Sequence, residues 1–292
     1  LITYSDGSTD QTLNNTDGTS VETKKDNSGN VTETTVTQSN GSSVKTENKP
    51  DGSVIETKKD STGKVTEVTV TQPDGSSVKT ENKSDDSVVE TKKDSSGNVT
   101  ETTVTQPDGS SVKTENKSDG SVVETKKDNS GAVTETTVTQ ADGSFIKTEN
   151  KPDGTVVETK KDSSGKVTET TVTQADGSSI KTENKSDGSA VETKKDSSGN
   201  VTETTVTQAD GSSVKTENKS DGSMVVTKTD EDGAVSEITV IAVDGSKTIT
   251  IHNADGTTTV TKYDPDGKII NDKDTDNSTV PHTGDNGNMH LW

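Results

Sequence analysis

Three histidines, His252, His282 and His290, are the only side chains that titrate near neutral pH, and the chain has no cysteine. A Ser-His-Asp site would have to be built around one of them, yet none lies between Asp17 and Lys219. Carboxylates are plentiful, with 51 Asp and Glu in 292 residues. Paired-carboxylate catalysis needs one partner desolvated so that its pKa rises. Hydrophobic residues make up 21% of the chain and aromatics 1%, too few to enclose a dry pocket. The expectation is therefore a protein that is not an enzyme, with no catalytic residues.

Oxygen ligands for calcium are the remaining chemistry. Asp230-Glu-Asp-Gly233 and Asp264-Pro-Asp-Gly267, followed by Asp272, Asp274 and Asp276, set carboxylates at alternating positions. Asp230, Asp232, Asp264 and Asp266 are the candidate ligands. Neither stretch completes the twelve-residue EF-hand loop with its final Glu. An Asp in a turn also caps its own backbone, which is the competing reading of the same residues. The expectation is no cofactor, with calcium as the one alternative.

Charge narrows the partners. The formal net is -20, and every basic residue is a Lys. Nucleic acid and anionic lipid would repel such a chain, so neither is expected as a partner. No apolar run approaches the roughly 18 residues of a spanning helix, and LITYSDGSTD at the start is neither a signal peptide nor an initiating Met. The chain reads as a fragment of a longer protein, reaching a membrane only through a missing C-terminal segment.

The elements that would position any site are repeats. The chain aligns with itself at a period of 34, in six copies beginning at Asp17, Asp51, Asp85, Asp119, Asp153 and Asp187. The organisation expected is a diverged start over 1–16, six β repeats over 17–220, diverged terminal repeats over 221–270, and a polar linker over 271–292. Helical repeats of this period need bulky apolar residues at helical spacing, and Thr, Val and Gly stand in their place.

Within each copy Gly recurs every 11 or 12 residues, and Pro50, Pro73, Pro107, Pro152 and Pro265 each directly precede Asp-Gly. Pro at the second position of a type I turn, then Asp, then Gly in the left-handed conformation, makes a hairpin connection with its bulge. Asp85-Asp86 is the one departure, and Asp tolerates positive φ. Between turns lie segments of about seven β-branched-rich residues such as Val133-Thr-Glu-Thr-Thr-Val-Thr139. The fold class expected is all-β, an elongated repetitive antiparallel hairpin meander. Val123, Val138 and Ile146 would form a thin apolar row, with Glu124, Lys126 and Glu135 in solvent. Three strands per copy would make successive copies run in opposite directions, which keeps a three-sided β-solenoid open as an alternative. Low hydrophobicity with high net charge keeps open a third, a largely disordered chain.

Val280-Pro281-His282-Thr283-Gly284 resembles the Leu-Pro-x-Thr-Gly sorting signal of Gram-positive surface proteins, with Val280 in place of Leu. The resemblance implies that a sortase cuts between Thr283 and Gly284 and joins Thr283 to peptidoglycan. It also implies a spanning segment opening near Met289-His-Leu-Trp292, here truncated. Tyr263-Asp-Pro-Asp-Gly-Lys-Ile269 is similar to one element of the YD repeats of large secreted bacterial shells, over those few residues. Two functions follow. One is a structural stalk on the cell wall of a Gram-positive bacterium, extracellular and projecting an upstream head domain. The other is a repeat adhesin binding host ligand or calcium through a multivalent face. Ligand sites favour repeated exposed aromatics, and Phe145 is unrepeated, its equivalents being Ser43, Ser77, Ser111, Ser179 and Ser213.

Overall fold

The computed structural model describes residues 1–275, all of their regular structure being β-strand. Two compact units divide the chain, Leu1–Val167 and Thr168 onward. In the first, strands from Ile2–Thr3 to Val156–Lys161 pair antiparallel, each with its neighbour in sequence. The second repeats the pattern as far as Ile269–Thr275. The fold is thus the repetitive hairpin meander. A solenoid would pair strands 34 residues apart in parallel, whereas the partners here are consecutive and antiparallel.

Turn chemistry sets the register. At a representative connection, the Gln140 amide donates to the Ser144 carbonyl at 2.8 Å and the Gly143 amide to the Gln140 carbonyl at 3.0 Å. Gly143 has φ +86°, a left-handed conformation that costs an L-residue its Cβ clearance. Asp86 holds the corresponding place at φ 62° and still donates its amide to the Lys83 carbonyl at 3.2 Å.

Turns come in two kinds. In one the Asp stands third: Asp142 Oδ1 accepts the Ser144 amide at 2.8 Å and the Ser144 hydroxyl at 2.6 Å. In the other it stands first: Asp128 Oδ1 accepts the amides of Ser130 at 2.9 Å and Ala132 at 3.0 Å. The second kind opens into a bulge, because Lys126 faces Glu135 while Lys127 faces Val133, leaving Thr134 unopposed.

Among the described residues neither unit has a hydrophobic core: no apolar side chain among them is buried, and Ser53, Ser87, Ser121 and Ser189, all in turns, are the buried ones. Order therefore rests on ladder hydrogen bonds, turn capping and cross-strand pairs.

Facing follows from register. Val123 pairs with Val138, and Val138 with Ile146, so the three form one row on one face, with Thr125, Thr136 and Thr148 beside it. Lys126 pairs with Glu135, and Glu135 with Glu149, on the opposite face. The next copy inverts this arrangement, since Ile146 pairs with Lys160 and Glu149 with Val157. Apolar rows thus change both ends and faces from copy to copy.

Candidate functional site

The most elaborate side-chain arrangement recurs once per copy on its charged face. In the fourth copy Glu135 stands in the middle strand between two lysines, Lys126 Nζ at 2.8 Å and Lys147 Nζ at 2.9 Å. Lys126 also reaches Glu124 at 3.5 Å, and Glu149 joins Lys147 at 3.4 Å to Lys151 at 3.3 Å. Glu135 therefore does not point free into solvent as expected: its side chain is 18% exposed against 43% for Lys126, and it is the hub of the network. Hydrogen bonds from Lys126 and then Lys147 hold its carboxyl below the usual range, and Glu135 in turn raises Lys126. Glu33, Glu67, Glu101 and Glu203 occupy the same place with their own pairs of lysines. The central carboxylates Glu33, Glu67, Glu101, Glu135 and Glu203 are each paired with two lysines, which hold them below the ordinary value. A carboxylate bridging two lysines in this way suits a structural clamp between three strands.

A second recurring device closes the bulge. Asn150 Nδ2 donates to the Val133 carbonyl at 3.0 Å, and Asn48, Asn82, Asn116 and Asn218 do the same to Val31, Val65, Val99 and Val201. The bulge takes this carbonyl out of the regular ladder, and the amide of the following strand satisfies it. Sequence reasoning passed over these asparagines, although their strict 34-residue recurrence marked them as more than strand filler.

The candidate metal ligands separate. Asp230 Oδ1 accepts the amides of Asp232 at 3.1 Å and Ala234 at 2.8 Å, and Asp264 Oδ1 accepts the Lys268 amide at 2.8 Å. Three strands lie between the two turns, which places Asp230 and Asp232 on one edge of the second unit and Asp264 and Asp266 on the other. Among the described residues no three His, Asp or Glu side chains converge as a metal-holding group. His252 ends strand Lys247–His252, exposed. Val280, Pro281, His282, Thr283 and Gly284 lie outside the described residues, as does His290.

Phe145 and Tyr263 each meet a lysine of the paired strand. The Lys161 ammonium stands 5.3 Å from the Phe145 ring centre and Lys247 4.5 Å from that of Tyr263, both across a strand pair. An open groove of about 590 Å³, lined by Tyr4, Asp6, Lys24 and Asn27 among others, lies between the diverged start of the chain and the first repeat copy.

No family model matches this chain, and no curated protein matches it. Among solved structures, a chain in the crystal structure of TcdB2-TccC3-Cdc42 aligns with 90% of this chain and 22% of its own length, at 9% identity and a TM-score of 0.16, which establishes no common fold.

Proposed function

We propose that this chain is a spacer in the stalk of a cell-wall-anchored bacterial surface protein, holding an upstream domain away from the wall to which Thr283 is joined. The observation that carries the reading is the Val280–Gly284 sorting-type motif downstream of an array of near-identical modules. The character of the modules supports it. Each copy closes its own turns, bulge and ion-pair hub, so copies can be added or lost without redesign. Both faces are hydrated and charged, which opposes collapse onto a neighbouring stalk.

The test is fractionation of the full-length protein in its own host. Wild-type protein is expected in the wall fraction, released by wall digestion with a peptidoglycan fragment on Thr283. Thr283→Ala is expected in the medium or membrane fraction. Equal wall-bound amounts of the two forms would overturn the anchoring reading.

A further inference from the structure

In the first unit the order of strands in the sheet is the order of strands in the chain. The two ways out of the unit therefore lie at strands as far apart in the sheet as the unit allows. Ladder hydrogen bonds of an antiparallel pair run perpendicular to the strands, along the line that joins those exits. Tension on the chain would be carried by the strand pairs in series, each holding by its own ladder alone, so that pairs give way separately and do not share the load. What reaches past a strand is confined to exposed turns, as where Lys64 Nζ meets Asp86 Oδ1 at 3.1 Å. Among the described residues contacts join only strands adjacent in sequence, there is no disulfide, and no buried apolar cluster ties distant strands.

From this we infer a further function: the array is a serial zipper, a tether that lengthens strand by strand under load and re-forms when the load falls. The stalk reading supplies the source of the load, while the mechanics rest on topology alone. A strand with its turn contributes about 4.8 Å to the width of the sheet, but its 11 or so residues span about 37 Å when drawn out, a gain of nearly eightfold. A whole 34-residue copy would pass from about 14 Å to about 115 Å. Re-forming is local, because each turn carries its own left-handed residue, Gly or in one case Asp86, its own capping Asp or Asn and its two closing hydrogen bonds. The Asn150 amide on the Val133 carbonyl is a latch on this zipper, at the end of the strand pair remote from its turn.

Optical-trap extension of the full chain, held by its two ends, tests the inference. The expected record is a series of steps whose lengths are about 32 Å or small multiples of it, up to about 100 Å for a copy, recovered on relaxation. The triple variant Asn82→Ala, Asn116→Ala, Asn150→Ala should show the same step lengths at lower force; unchanged forces would overturn the latch. A single all-or-none lengthening of several hundred ångströms would overturn the zipper, and so would a smooth stretch without steps. Because the trap holds the chain directly, the outcome is independent of whether Thr283 is the anchor, and the two readings fail separately.

Discussion

Replacing Glu135 with Gln removes the charge at a hub while keeping its shape. Two ion pairs are lost, to Lys126 at 2.8 Å and Lys147 at 2.9 Å. Exposed pairs contribute about 0.2 to 1 kcal/mol each, and with half-buried Glu135 facing two well-exposed lysines each pair belongs near the middle of that range. The two lysines are not stranded, because Lys126 keeps Glu124 at 3.5 Å and Lys147 keeps Glu149 at 3.4 Å. The expected loss is about 1 kcal/mol. It should be local, since each strand packs only on its neighbours in sequence. Amide hydrogen exchange is the assay of choice. Protection should fall about fivefold in strands Val122–Lys127, Val133–Thr139 and Phe145–Asn150, with little change two copies away. At about 1 M salt, where the screening length is near 3 Å, the difference between the two proteins should shrink. Unchanged protection at low salt would refute the hub as a stabilising device, and an equal loss across all copies would refute modularity.

Two further outcomes are expected. Asp86→Gly should stabilise its turn by about 0.5 to 1 kcal/mol, because relief of the left-handed strain at φ 62° outweighs loss of the exposed Lys64–Asp86 pair; a lower unfolding midpoint would contradict this. Acid should also unfold the array. Ser144 and Ser130 donate to Asp142 and Asp128, and two lysines to Glu135, so all three carboxyls have folded-state pKa values below their unfolded ones. Stability from these groups is then full above their unfolded values, near pH 4, and is lost as pH falls through the folded ones. Carboxyl-carbon NMR titration checks this residue by residue, and ordinary pKa values at Asp142 and Glu135 would refute it.

The fold was legible wherever its cause is local. Pro-Asp-Gly and Gly at 11- to 12-residue spacing announce turns because φ preference and Asp capping act within five residues, and the protein has those turns, with Gly143 left-handed as expected. Asp86 was legible for the same reason. What escaped is what reaches across strands. The Asn150 to Val133 bond spans 17 residues and exists only because a bulge frees a carbonyl, which composition cannot reveal. The hub at Glu135 depends on two lysines, 9 and 12 residues away on either side, converging from flanking strands. The alternating carboxylates of Asp230 and Asp264 invited a metal reading, and strand parity sends them to opposite edges.

That same parity explains how a sheet without a core avoids stacking on others. With an even number of strands per copy, every Val123-type position would fall on one face, and the rows would merge into a long apolar stripe, a template for sheet-on-sheet association. Three strands per copy, which at first argues against a meander, prevents this. Glu115 of the preceding copy pairs with Val123, and Lys160 of the following copy pairs with Ile146, so each apolar row is bounded on both sides by charge after about 14 Å. A second sheet laid over Val123, Val138 and Ile146 would have to desolvate the neighbouring Glu115 and Lys160 as well, at a cost that three half-buried aliphatic side chains do not offset. The odd strand count thus lets a sparse set of Val and Ile side chains support each strand while both faces remain hydrated.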